Sequence, residues 1–115
     1  MAEIRTIDIA EVIAASGGSG RFEGKNHGSP VSLFYVTSQP GKGASKHRHP
    51  YIETFVIVDG DIEVTVDGAT ELMHSGTIAI IPAGAWHEFT NRGDRRALMV
   101  NIHPVDEMIQ ENWAE

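Results

Sequence analysis

Four side chains of this 115-residue sequence could do chemistry together: His47, His49, Glu53 and His87. Imidazole nitrogen with carboxylate oxygen is a ligand set suited to a divalent transition metal with coordination positions left open. In a strand, residues two apart point to one face, so His47 and His49 project together and Arg48 projects away. Glu53 has the same parity, but Pro50 interrupts the strand, so parity alone does not place it. A lone histidine is more often a satisfied core or surface residue, and His27, His74 and His103 taken singly read that way.

The quartet is embedded in two glycine-punctuated segments. Gly41, His47, His49, Glu53 and Gly60 stand in the register G(X)5HXH(X)3,4E(X)6G. Gly76, Pro82, Gly84, His87 and Asn91 stand in the register G(X)5PXG(X)2H(X)3N, after a spacer of 15 residues. This pair of motifs resembles that of the cupin superfamily, and with its spacer it covers 51 of the 115 residues. The resemblance implies a small jelly-roll barrel in which the chain bends after His49, so that Glu53 returns to the same centre. His87 would then reach that centre from a sequence-distant strand. It also implies one divalent metal per chain, with iron, manganese, nickel, copper, cobalt and zinc all compatible with the donors.

The reaction stays open, because one fold hosts many functions. Among cupins with this complete ligand set, oxidation of small organic acids, thiols or diketones is common, and isomerase, lyase and decarboxylase reactions occur. The resemblance thus implies a metal-dependent cupin that binds a small organic molecule, with a dioxygenase-type oxidoreductase as the first reading. A non-catalytic binding or sensing module is the second, and an isomerase, epimerase or lyase the third. Other chemistries find no support: the sequence has no G-x-S-x-G nucleophile elbow, no H-E-x-x-H helix and no G-x-G-x-x-G phosphate loop.

Around the quartet the pattern is β. Val31–Ser38, Tyr51–Val58, Asp61–Val66, Thr77–Ile81, Trp86–Thr90 and Arg96–Ile102 read as strands, with turns at Asp59-Gly60, Asp67-Gly68 and Asn91–Asp94. With a first short strand over Glu3–Ile7, seven or eight strands are expected in an all-β sandwich or barrel. Short terminal helices are expected too, one starting at Asp8 with Glu11 in its first turn and one over Val105–Trp113. Gly17–Gly20 reads as a plain connector. Phe55, Ile57 and Phe89 follow the ligands with matching parity and line the interior, either as pocket wall or as core packing. Tyr35, Met99, Asn101 and His103 are further pocket candidates, while Trp86 and Lys46 point away from the centre.

Composition narrows the partners. Nine Lys and Arg against 16 Asp and Glu give a net charge of −7, which argues against a nucleic-acid partner, since that needs a basic face. The absence of cysteine removes disulfides and thiolate sites. No apolar run approaches the length that spans a bilayer, and the N-terminus lacks a secretory pattern, so no membrane partner and a cytoplasmic setting are expected. At this length a single domain over residues 1–115 is expected. Ile78–Ile81 is apolar on both faces, more than one small barrel interior can bury, which together with the family's habits implies a homodimer.

Overall fold

The strand pattern closes into two antiparallel sheets packed face to face, in a computed structural model that describes residues 2–16 and 19–114. One helix, α1 (Ile9–Ser16), precedes ten strands among the described residues. These are β1 (Gly20–Phe22), β2 (Ser32–Ser38), β3 (Gly43–Arg48), β4 (Glu53–Asp59), β5 (Asp61–Val66), β6 (Ala69–His74), β7 (Thr77–Ile81), β8 (His87–Asn91), β9 (Ala97–His103) and β10 (Glu111–Asn112). One sheet has the order β1-β2-β9-β4-β7 and the other β10-β3-β8-β5-β6. This is the all-β jelly roll that the motifs implied.

Period-two alternation builds the core. Phe55 and Ile57 of β4, Ile62 and Val64 of β5, Ala79 and Ile81 of β7, Phe89 of β8 and Met99 of β9 point between the sheets and are buried. The residues between them face outward, and on β7 these are Ile78 and Ile80, 67% and 68% exposed.

Two glycines are required by close contacts. Gly60 closes the β4–β5 turn at φ 116°, where a Cβ would lie 2.7 Å from the Ala97 Cβ. At Gly43 a Cβ would stand 1.9 Å from the Phe89 carbonyl oxygen, so β3 and β8 draw together only because that atom is missing. Asn91 ties the end of β8 down. Its Nδ2 donates to the carbonyls of Ser38 (2.9 Å) and Arg95 (2.8 Å), and its Oδ1 accepts from Gly93 N (2.8 Å).

Some expected elements are absent. Residues 3–7 form no strand: Ile4 is 94% exposed, and no neighbouring strand pairs with the segment. The N-terminal helix does start after Asp8, whose Oδ1 accepts from Ala10 N at 2.9 Å. Of the connector at 17–20, Gly17 and Gly18 lie outside the described residues, and Gly20 opens β1.

The helix expected over 105–113 is absent: the chain bends over 104–107 and runs irregularly to the short strand β10. Its backbone groups find distant partners: Asp106 O accepts from Lys25 N, Met108 N donates to Glu23 and Ile109 N to the Tyr51 hydroxyl. Glu111 and Asn112 then pair as β10 with Arg48 and His47 on β3, covering the edge of that sheet. Trp113 packs edge-on against Trp86 (5.0 Å between rings), with Lys46 Nζ 4.0 Å over its face, so Trp86 and Lys46 do point away from the quartet. No described helix is long and apolar enough to cross a membrane.

Candidate metal centre

His47, next to last in β3, lies directly opposite His87, which starts β8, so backbone pairing sets their rings 4.3 Å apart. A bulge between Ala44 and His47 shifts the register just before this pair. His49 lies one residue past β3, where the Gly84 N–H caps its carbonyl at 2.8 Å. The chain bends at Pro50 and enters β4 of the opposite sheet at Glu53. The fold thus brings all four residues together: one ligand atom from each lies within 4.8 Å of every other, and all four side chains are buried.

Hydrogen bonds fix which nitrogen of each ring faces inward. The Nδ1 atoms of His47, His49 and His87 lie 2.6, 2.7 and 2.9 Å from the carbonyl oxygens of Ser45, Ile109 and Ala85. A carbonyl only accepts, so each Nδ1 carries a proton, and each ring in its neutral form presents an Nε2 lone pair. Glu53 Oε1 lies 3.0 Å from His87 Nε2 and 3.3 Å from His49 Nε2. Adjacent corners of an octahedron with bonds of about 2.1 Å lie about 3.0 Å apart, and opposite corners about 4.2 Å. The two carboxylate–imidazole separations lie within a few tenths of an ångström of the adjacent-corner value. His49 Nε2 and His103 Nε2 are buried without an aligned hydrogen-bond partner, although Glu53 oxygens lie 3.3 and 2.9 Å away. The residues fit a single divalent metal.

A further pair of residues holds the carboxylate. His103, fully buried on β9, places Nε2 2.9 Å from Glu53 Oε2, and its Nδ1 lies 2.5 Å from the Tyr51 hydroxyl. An ionised Glu53 only accepts, so the neutral His103 ring carries its proton on Nε2 and its Nδ1 accepts from the Tyr51 hydroxyl, which itself accepts the Ile109 N–H (3.3 Å). Oε2 thereby faces His103, and Oε1 faces His49 and His87.

The electrostatics follow from this packing. Burial pushes the Glu53 pKa up, but His103, His49 and His87 outweigh it and hold the carboxyl well below the usual range. Burial also dominates at His47 and lowers its pKa. At His87 burial acts downward too, yet the Glu53 carboxylate and the Ala85 carbonyl prevail and the pKa is raised.

A cavity of about 370 Å³ opens onto His47, His49 and Glu53. Of the pocket candidates, Phe89 and Asn101 line it, whereas Phe55, Ile57 and Met99 are buried core. Tyr35 alternates with the inward Phe34 and Val36 and faces the other side of its sheet. His103 stands behind Glu53, outside the cavity lining. His27 stacks on Phe22, and His74 bonds Asp61. Sequence reasoning missed Phe34, Val36, Gln110 and Tyr51. Alternation along β2 could have found the first two, had its register been known.

Comparison with known proteins agrees with this geometry. The Cupin domain profile matches residues 34–103. The chain is 43% identical over 63 residues to polyketide synthase CurC of Streptomyces cyaneus, covering 54% of this chain and 41% of that protein. It is 29% identical over 104 residues to gentisate 1,2-dioxygenase of a Ralstonia species, covering 87% of this chain and 29% of that one. The chain spans less than half the length of either relative. Among solved structures, a formate complex of Lactobacillus farciminis oxalate decarboxylase superposes with a TM-score of 0.75 at 22% identity, over 82% of this chain and 30% of that one, a likeness of fold. With the profile running over more than half its length, the chain belongs to the cupin domain family.

Proposed function

We propose that this cupin holds one divalent transition metal through His47, His49, Glu53 and His87 and acts on a small organic molecule in a dioxygenase-type oxidation. The observation that carries the proposal is the inward set of three Nε2 atoms and one carboxylate oxygen, each ring fixed by a backbone carbonyl. When bound, the ion would supply Lewis acidity and, if redox-active, electrons for dioxygen. The chain's own contribution is position and dryness. His103 keeps Glu53 on one oxygen, while Phe34, Val36 and Phe89 form an apolar wall beside the ligands and limit water. Likeness to gentisate 1,2-dioxygenase supports the oxidative reading over the isomerase or lyase one.

The test begins with elemental analysis of the purified protein. Oxygen uptake is then followed electrochemically for iron-, manganese-, nickel- and copper-loaded protein with small acids, thiols and diketones. Turnover with one metal and one substrate class is the expected result. A fully loaded, folded protein that binds a ligand yet turns over nothing would put the sensing-module reading in its place.

The same reading includes a homodimer. Ile78 and Ile80 on the edge strand β7 and Val58 on the adjoining β4 leave an apolar outer face, and a second copy would cover both that face and the edge. Light scattering at micromolar concentration should give twice the 12.5 kDa chain mass, and a monomer mass would reject the dimer.

A further inference from the structure

Beyond the metal-facing atoms, the cavity holds one polar side chain that the protein leaves unsatisfied. Asn101 is 3% exposed, on β9, between Phe34 of β2 and Phe55 of β4. It lines the same cavity as His47, His49 and Glu53. Its Oδ1 is buried with no hydrogen-bond partner among the described residues. A buried acceptor left without a donor costs free energy, and native interiors rarely keep one. The partner it lacks in the protein is one that a ligand can bring.

The rest of the lining narrows that ligand. Among the described residues the cavity wall contains no Lys or Arg. Its only carboxylate is Glu53, and Phe34, Val36, Ala44 and Phe89 are apolar. A carboxylate on the ligand, away from the quartet, would lose its hydration without gaining a counter-charge. It would also fail Asn101, because an ionised carboxylate has no proton to offer Oδ1. A neutral hydroxyl donates to Oδ1 and accepts from Nδ2 at the same time, so it satisfies the amide in either orientation. A phenol or an enol carries such a hydroxyl on an apolar body that suits the aromatic and aliphatic wall.

We propose that Asn101 is a specificity-determining residue of this cavity, selecting a neutral phenolic or enolic hydroxyl over a carboxylate. The proposal rests on the reading that the quartet is the reacting centre.

The experiment uses zinc-loaded protein, whose redox-inert ion permits binding without turnover, with zinc content measured first. Catechol and salicylate are the probes: they share a ring and one hydroxyl, and differ in a second hydroxyl against a carboxylate. Calorimetry gives the ratio of their affinities. In Asn101→Leu the preference for catechol over salicylate is expected to fall about tenfold relative to wild type, the worth of one well-made hydrogen bond. Asn101→Ala, which opens space where leucine fills it, should show the same fall. An unchanged ratio in both variants overturns the proposal.

Thermal melting of the metal-free proteins supplies a second readout, independent of any ion. If the amide awaits a ligand, Asn101→Leu removes an unsatisfied group and the melting temperature holds or rises. A clear drop would mean that the amide already has its partner within the fold, and would overturn the proposal. Failure of wild type to take up zinc counts against the metal centre alone, since the melting comparison still decides the role of Asn101.

Discussion

Replacing His103 should loosen the metal centre without touching a ligand. In the folded protein Glu53 divides its oxygens: Oε1 faces His49 and His87, and Oε2 lies 2.9 Å from His103 Nε2. Glu53 is 2% exposed, so bulk water has little access to the oxygen that His103→Leu would strand. A hydrogen bond to a charged group contributes about 1.5–3 kcal/mol. Loss of groups that orient metal ligands typically costs about 10–100-fold in affinity, or about 1.4–2.7 kcal/mol. Because Nε2 is not aligned on Oε2 as a full hydrogen bond, the lower end is expected, a rise in Kd of about tenfold for His103→Leu. Tyr51→Phe leaves the Glu53 contact in place and removes the hydroxyl that orients His103 and accepts the Ile109 N–H, so a smaller loss of about 3–10-fold is expected. His103→Gln, which keeps an N–H donor, should recover much of the leucine variant's loss. Competition against a chromophoric chelator at pH 7.5 measures all three. If His103→Leu folds and binds within about twofold of wild type, far inside the usual range for such groups, the orienting role is refuted.

Other outcomes follow from the same geometry. The ligand form of histidine is neutral, and His87 has a raised pKa, so protons compete there first as pH falls. Metal affinity should therefore begin to drop above pH 6.5, the ordinary histidine value, and then weaken by about tenfold per pH unit, whereas a flat profile down to pH 5 would contradict the assignment. Single changes His49→Ala and His87→Ala should each lower metal stoichiometry by elemental analysis while the far-ultraviolet dichroism stays β-rich. Asn91→Ala removes three hydrogen bonds at the end of β8 and should cost about 2–4 kcal/mol in urea unfolding. Ile80→Lys places a charge on the apolar outer face and should shift the light-scattering mass from dimer to monomer.

The barrel and its quartet were legible because their signals are local. Asp59-Gly60 announces a turn, strict alternation in Ala97–His103 separates inward Met99, Asn101 and His103 from outward Leu98, Val100 and Ile102, and the motif histidines keep fixed spacing. What escaped depends on distant partners. The stretch 105–113 carries helix-start chemistry at Pro104 and Asp106, but the open edge of β3 and the Tyr51 hydroxyl take its backbone groups. β6 went unread because its residues are half-buried at most. Val31–Ser38 is apolar on both faces, so only the fold reveals that Phe34 rather than Tyr35 enters the cavity. His103 illustrates the limit most clearly. Alone it reads as an ordinary core histidine, and its role appears only once Glu53 is placed beside it.

The docking of the last residues bears on when the centre becomes able to hold an ion. The His49 ring is oriented by the carbonyl of Ile109, 60 residues later in the chain, and the Tyr51 hydroxyl by the amide of that same residue. At synthesis rates of about 5–20 residues per second, roughly 3–12 s separate the two on the ribosome. Over the last 22 of those 60 residues, once His87 has been made, a nascent chain owns all four ligands without their final geometry, and any ion it collects exchanges readily. Which ion the site ends with is decided once Ile109 has docked, by what the surroundings then offer to a finished site.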